Sequence, residues 1–522
     1  MERLNAPPGW RLTALLLCVP ALLIHLGAVA FTGDEAIRAL VALEMDLSGN
    51  WVATTMHGAD YINKPPLFNW FIWAVSRLWG DFGEWPSRLT TVGFLSGFAW
   101  LHHRVLRAEW GVGAGWIGAF LLITSGRWLF YDSMLGLIDT AFSLSVYALW
   151  ASLWFAGKKE RWGVFFALSY LFCAVGFLFK GFPAVVFQGL SLTAALVFFG
   201  RWRLLFSWRH AAGGTVFVAV VGAYLWALSH YRDLGTFVGN LFVESSKRTV
   251  AAHGWGRFWE HLLSFPFESV YHFLPWSLFA VFLFDWRLPA KLQERPLAAF
   301  SALMLAVNLP VYWTSVHVEA RYLLMFVPLF NTVGLALLAA DAGWRSRLFY
   351  GALGALLVVA VVAASALSWI PQVAYLQGIG WISAGLCAGL GWLAYRYFRV
   401  GKDRLWIFVT ALLAVRIGFD LVVIPVRRDE SIVTRARTDI RRLADKYSGY
   451  EWKVYGDAYI REPASFYLTQ RLGYIVRRDT NLSQQGTIWL VNPVVYPDFP
   501  GTCVDTFQTD YPELKHLLYL IK

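Results

Sequence analysis

Charge is what this sequence has least of. Of its 522 residues only 15% are charged, where an ordinary soluble domain carries about 25%. That shortage, beside 57% hydrophobic residues, excludes a water-soluble enzyme of conventional composition. Cysteine is scarce as well. Cys18, Cys173 and Cys387 lie in apolar runs and Cys503 in the polar tail. None has metal-ligand spacing, which argues against a disulfide framework and a zinc site. Neither an internal repeat nor a low-complexity segment is visible. The net charge of +11 does not point to nucleic acid, because most Lys and Arg stand in short clusters between apolar runs.

What the chain has in quantity is aromatic and aliphatic sequence. Its 28 Trp and 40 Phe suit aromatic belts at the two faces of a bilayer. Apolar runs near the ~20 residues needed to cross a bilayer recur along the chain. They lie at 12–31, 87–105, 111–126, 135–156, 163–179, 182–200, 211–230, 270–286, 297–315, 321–340, 348–370, 379–397 and 404–425. The expected fold class is therefore an all-α polytopic membrane protein of about thirteen transmembrane helices. A small α/β domain is expected at its C-terminal end. The first run is followed by Asp34-Glu35 rather than by a small-residue cleavage site, and reads as an uncleaved span.

Orientation follows from the short loops. Arg104/Arg107, Lys158/Lys159/Arg161, Arg201/Arg203/Arg209, Arg287/Lys291/Arg295, Arg345/Arg347 and Arg396/Arg399/Lys402/Arg404 fall on one side, and little more than Arg127, Lys180 and Arg321 on the other. The positive-inside rule puts the first set, with the N-terminus, in the cytoplasm of a bacterial inner membrane. The outer, periplasmic side then receives long loops at about 32–86 and 231–269 and the tail. The division expected is 1–426 for the membrane domain and 427–522 for a soluble α/β domain. Residues 35–47 and 66–79 have helical apolar spacing and read as amphipathic helices in the outer interface. In the tail, a charged helix at 428–447 precedes β-prone runs at 452–455, 472–476, 487–491 and 517–521.

The chemistry is expected at the outer mouth, where ionisable groups gather at membrane depth. Such groups cost about 2.5–3.5 kcal/mol at a helix centre and usually face a cavity or partner. Asp34 and Glu35 close the first run; alone they read as a solvated helix end. Asp139 lies one turn into the fourth run, with Asp132 on the same face if the helix extends that far. A structural hydrogen bond would explain Asp139 equally well. Cations follow on the same side: Lys64 before Pro65-Pro66, Lys180 before Gly181, Lys247 and Arg248 near Glu244, and Arg321 with His317, Glu319 and Tyr322. A single Lys or Arg of this kind usually snorkels to headgroups. Four such places on one face, beside intramembrane carboxylates, fit a phosphate site flanked by general bases.

These residues carry a resemblance. Asp34-Glu35, Glu44-Met45, Gly49-Asn50-Trp51, Gly58 with Tyr61, and Lys64-Pro65-Pro66-Leu67 with Trp70 resemble the first-loop pattern of the lipid A aminoarabinose transferases. These belong to the protein-mannosyltransferase-like GT-C glycosyltransferases. Leu178-Phe179-Lys180-Gly181, Pro275-Trp276 and Arg321-Tyr322 with Pro328 also fit. The resemblance implies a polyprenyl-phosphate sugar donor, a glycolipid or glycan acceptor such as lipid A, and inverting transfer at the outer face. It makes Asp34 the first-loop acid, with Glu35 and Asp139 as further candidate catalytic carboxylates. Lys64 matches the donor-phosphate lysine, with Arg248, Arg321 and Lys180 as further candidates for that phosphate. Glu244, Tyr61, His317 and Glu319 are candidates to position substrate. Two departures concern a metal. The aminoarabinose branch has Glu where this chain has Asn63, and Glu-His where it has Glu244-Ser245. No cofactor is firmly implied: these two departures argue against the divalent metal of that branch, and leave it the one candidate cofactor. Membrane lipids are the expected surroundings, and nucleic acid is not a partner. The rival reading is a transporter or lipid flippase, which also needs charge around a cavity but more often shows paired repeats and broken helices at midplane.

Overall fold

The computed structural model describes residues 8–246, 255–316, 318–399, 401, 403–456, 460–482, 486–492, 494–508 and 515–521. It is a helical bundle in which the apolar runs become helices, since only a helix satisfies its own backbone in hydrocarbon. Seven helices among the described residues are long and apolar enough to cross a membrane: Asp139–Lys158, Trp162–Lys180, Trp208–Ser229, Pro296–Trp313, Ala320–Ala340, Trp344–Trp369 and Arg404–Glu430. The pair Val112–Ile123 and Gly126–Met134, bent by 52°, makes an eighth if it is one span. Against thirteen expected runs, seven or eight thus qualify by length and composition. The others are helical but short, such as Pro183–Phe198, or rich in polar residues, such as Glu84–Trp110.

Two local departures shape the mouth of the bundle. The first run does not stay helical to 31: its helix, Pro8–Leu23, stops early. His25 adopts a left-handed backbone (φ 55°) and sets its Nδ1 2.7 Å from the Asp420 carbonyl. Arg88 then gathers the loosened segment, donating to the carbonyls of Leu26 and Val29 at 2.9 Å and of Ala30 at 3.4 Å. The fourth run begins its helix at Asp139 itself, so Asp132 does not share that helix's face as expected. It lies in a separate 3-10 turn, Asp132–Met134, paired with Arg127 at 3.0 Å.

The first loop also departs from expectation. Helices do form at Asp34–Ser48 and Leu67–Trp79, but the former does not lie in an interface. Glu35, Ala36 and Arg38 through Met45 are all buried, because a second layer covers the helix. That layer is the C-terminal segment. Its five-stranded sheet runs, in spatial order, Arg478–Asp479, Glu451–Tyr455, Thr487–Val491, Lys515–Ile521, Thr502–Gln508. The first three strands pair in parallel and the remaining pairings are antiparallel. The expected strand at 472–476 is instead the end of a helix, Glu462–Leu472, closed by Gly473 at φ 75°. Its buried Ala464, Phe466, Tyr467 and Leu468 pack inward. The Phe466 ring meets Phe31 edge-on at 4.9 Å, and the Tyr467 hydroxyl accepts from the Phe31 N–H at 2.8 Å and donates to Glu84 at 2.7 Å. The Ser465 hydroxyl is hydrogen-bonded to His57 Nδ1 at 2.7 Å. The C-terminal layer is thus built onto the loop that carries the candidate site.

Candidate functional site

Asp34 is the first residue of its helix, where the N-terminal dipole favours a carboxylate. Its Oδ2 accepts from Arg321 at 2.6 Å, while the side chain stays 54% exposed. Arg321 enters from the 3-10 stretch Ala320–Phe326, and its Nε lies 3.5 Å from Asp139 Oδ2. Asp139 in turn accepts from Lys180 Nζ at 2.5 Å, and that ammonium rests 4.0 Å from the Tyr322 ring centroid. Four charges from four elements therefore form one chain: Asp34, Arg321, Asp139, Lys180. Arg321 Nε is buried and makes no hydrogen bond, which leaves a donor unspent between the two carboxylates.

The remaining candidates divide. Tyr61 is buried, and its hydroxyl accepts from Arg38 at 2.7 Å. Burial pushes its phenol above the ordinary range against the pull of Arg38, and Asp34 and Glu244 push the same way. Tyr61 thus lies within the field of both carboxylates. Lys64 is half-buried in the turn before Leu67–Trp79. That turn is pinned by Asn240, which donates to the Ile62 carbonyl and to Asn63 Oδ1, both at 3.1 Å. The same helix, Leu234–Ser246, carries Glu244. Glu319 is exposed beside the 3-10 stretch that carries Arg321. Arg248 and His317, with Lys247, lie outside the described residues.

Two expectations change character. Glu35, a candidate catalytic carboxylate, is fully buried. It accepts from Arg88 at 2.8 and 3.1 Å, from the Gly136 N–H at 2.9 Å and from the Thr32 N–H at 2.9 Å. Four donors saturate it, so it is a clamp on the mouth. Lys180 and Asp139 are each only 6% exposed and bound to one another. Lys180 therefore first compensates a buried carboxylate rather than presenting an open cation to phosphate. Sequence reading missed Arg38. It stands four residues after Asp34 on the same helical face, the one signal that marks it. It is buried, with its Nη1 unpartnered.

Both positions that depart from the aminoarabinose branch are already engaged. Asn63 spends its carbonyl on Asn240, and Ser245 donates to the Leu241 carbonyl of its own helix at 2.8 Å. No cluster of three His, Cys, Asp or Glu side chains that could hold an ion occurs among the described residues.

Two cavities have walls from the elements that carry the charged chain. A groove of about 800 Å³ is lined by Leu67, Phe71, Ala141 and Phe179 among others, and by Lys159 and Arg161. A second, of about 300 Å³, is lined in part by Leu323 and Phe326 of the 3-10 stretch that carries Arg321.

The model of the dolichyl-phosphate-mannose-protein mannosyltransferase family matches residues 63–226. An undecaprenyl phosphate-alpha-4-amino-4-deoxy-L-arabinose arabinosyl transferase of Pseudomonas paraeruginosa is 28% identical over 58% of this chain and 55% of its own. One from Proteus mirabilis is 27% identical over 33% of this chain and 31% of its own. The chain thus spans about half the length, or less, of these curated relatives. The crystal structure of ArnT from Cupriavidus metallidurans bound to undecaprenyl phosphate superposes over 98% of both chains, with a TM-score of 0.73 at 17% identity. The fold is that of ArnT. The apo form of that protein agrees, with a TM-score of 0.71. The chain is accordingly a polytopic membrane protein of GT-C fold, similar to the lipid A aminoarabinose transferases.

Proposed function

We propose that this protein is a membrane glycosyltransferase that moves one sugar from a polyprenyl phosphate to a glycolipid or glycan acceptor at the periplasmic face. The observation that carries the reading is the linked chain Asp34, Arg321, Asp139, Lys180, with its unspent Arg321 Nε donor, together with an apolar groove lined by Phe179 and Ala141, near neighbours in sequence of Lys180 and Asp139. Groove and cations suit the two halves of a lipid phosphate: hydrocarbon along Phe71, Phe94 and Phe172, which line the groove, and phosphate at Lys64 and Arg321. The names of the curated relatives agree, since they too take an undecaprenyl phosphate sugar.

In the reaction, the acceptor hydroxyl oxygen forms a bond to the anomeric carbon. The bond from that carbon to the phosphate oxygen breaks, and polyprenyl phosphate leaves with the electron pair. Asp34, exposed at a helix start, takes the hydroxyl proton. Lys64 and Arg321 stabilise the charge gathering on the phosphate. Asp139, neutralised by Lys180, keeps the Arg321 guanidinium in place. Tyr61 and Glu244 border the acceptor side. No step passes through a metal.

The test is purified full-length protein in nanodiscs with undecaprenyl-phosphate aminoarabinose and lipid A, without a membrane potential and with excess chelator. Consumption of donor with appearance of sugar-modified acceptor is the expected result. Movement of the lipid across a vesicle bilayer without consumption would establish the transporter reading instead.

A further inference from the structure

The helices Asp139–Lys158 and Trp162–Lys180 form an antiparallel pair, tied at one end by the bond between Asp139 and Lys180. The loop that joins them is at the other end. The groove follows the pair, lined from Ala141 to Ala156 on one helix and from Val164 to Phe179 on the other. At 1.5 Å per residue that is roughly 22 Å of helix, beside a bilayer core of about 30 Å. Its charged lining residues, among those described, are Lys159 and Arg161 in the joining loop. This loop is a tight turn. Glu160 takes a left-handed backbone (φ 53°), and the Arg161 N–H returns to the Ala156 carbonyl at 2.9 Å. The carboxylates around it are spent elsewhere. Glu160 accepts from Arg201 at 3.0 Å, and both oxygens of Glu109 accept from Lys158 at 2.8 Å. Lys159 and Arg161 are exposed, and neither pairs with a carboxylate among the described residues. Glu109 brings the end of the helix Glu84–Trp110 to this loop, and little more than a turn earlier stands a third cation. It is Arg104, 5.7 Å from the ring of Trp100, which lines the groove.

We propose that the loop end of the groove binds an anionic phospholipid, its phosphate at Lys159 and Arg161 and an acyl chain along Trp100, Leu101 and Phe155. The site is independent of the transferase reading, since it lies at the opposite end of the helix pair from Asp139. A single exposed Lys or Arg ordinarily faces water over an apolar stem. Here two cations without counterions border an apolar groove, and an amphiphile with an anionic head satisfies both surfaces at once. A guanidinium holds two phosphate oxygens together, and an ammonium adds a point charge beside it. Basic pockets between helices, on the face that bears the basic loops, recognise phosphate headgroups in this way. The alternatives leave part of the site unused. A polyprenyl tail is hydrocarbon throughout and gives the cations no partner. A soluble phosphate pairs with the cations and leaves the apolar walls bare. A zwitterionic phospholipid carries its own cation next to the phosphate, which offsets the attraction. With the donor phosphate proposed at Lys64 and Arg321, the two lipids would share the groove without competing for a headgroup position.

The experiment is photo-crosslinking of full-length protein in phosphatidylcholine nanodiscs with two probes of identical diazirine acyl chains, a phosphatidylglycerol and a phosphatidylcholine. The phosphatidylglycerol probe is expected to label segments 97–101 and 151–168 about tenfold more strongly, as two cations facing one anionic headgroup should give. The double variant Lys159→Gln/Arg161→Gln should bring that labelling down to the phosphatidylcholine level. Both side chains are exposed, and an unchanged unfolding temperature in detergent confirms that the fold is kept. A second double variant, Arg203→Gln/Arg209→Gln, removes two cations of the same face that do not line the groove. It should leave the labelling unchanged. Equal labelling of the wild-type protein by the two probes would overturn the proposal. So would an equal loss in both double variants, which would trace the effect to the general charge of the basic face. Glycerol 1-phosphate in millimolar excess should not compete. Loss of labelling in its presence would give the cations to a soluble phosphate and also overturn the lipid site. Labelling needs no turnover, so failure of sugar transfer and failure of this site are read separately.

Discussion

Asp34 and Glu35 are adjacent and both acidic, yet their surroundings are opposite. Helical geometry turns neighbours about 100° apart, so one carboxylate meets Arg321 at an open mouth while the other is sealed beneath Arg88. The sequence marks both as candidates and cannot rank them, since Arg88 lies 53 residues away. Substitution separates them. Asp34→Asn keeps the shape and removes the base, so single-turnover transfer in nanodiscs should fall about 10²–10⁴-fold with donor affinity little changed. Lys64→Ala should weaken donor binding as well as turnover. Near-normal transfer by Asp34→Asn would move the base to another group. Glu35→Gln should act on stability instead. Leaving the buried Arg88 uncompensated costs about 3–5 kcal/mol, to be read as a lowered unfolding temperature in detergent. A stable but inactive Glu35→Gln protein would restore Glu35 to the chemistry.

At the scale of elements, helices at 35–47 and 66–79 are legible because their apolar spacing is local information. What covers the first of them is not, because Phe466, Tyr467 and Ser465 come from a helix more than four hundred residues later. The strand Thr502–Gln508 likewise escaped the sequence reading, since Thr, Cys and Asp dilute its β pattern. The contact between loop and C-terminal helix carries a titratable group. His57 is buried, and desolvation together with Arg478 lowers its pKa from 6.5 to about 4. Below pH 6.5 the unfolded chain therefore binds a proton that the folded chain refuses. Stability should fall as pH drops from 6.5 to about 4 and level off below, by about 3 kcal/mol in all at ~1.4 kcal/mol per pH unit. Thermal unfolding in detergent from pH 7 to 4 checks this against His57→Asn. Asn tolerates the left-handed backbone that His57 adopts (φ 58°) and does not titrate, so its curve should be flatter over that window. Parallel curves would show that the histidine makes no contribution.

For the whole molecule, the alternation of loops is the part the sequence displays most fully, and contacts between loops agree with it. Arg201 pairs with Glu160 at 3.0 Å and Lys158 with Glu109 at 2.8 Å. Arg345 pairs with Asp285 at 3.3 Å, and Lys291 with the same carboxylate at 2.8 Å. Each pair joins loops assigned to the basic side. At the opposite mouth Arg321 joins Asp34 to Asp139, and Arg232 reaches the first loop at Asp60. Less legible is the number of crossings, because polar helices such as Glu84–Trp110 are buried by their neighbours rather than by lipid and need not be apolar throughout. Which mouth faces outward rests on the Lys and Arg bias, which is counted over short loops and orients a polytopic chain as a whole. We therefore expect the basic loops and the N-terminus in the cytoplasm and the C-terminal sheet in the periplasm. The measurement is a pair of reporters fused after residue 522, one active only in the cytoplasm and one only in the periplasm. A third fusion in the loop at 201–207 supplies the opposite sign. Periplasmic activity at 522 with cytoplasmic activity at 201–207 is the expected outcome. Cytoplasmic activity at both would mean an even number of crossings between residue 207 and the tail. It would also place the C-terminal layer and the Asp34 mouth it covers on the wrong side for a periplasmic acceptor.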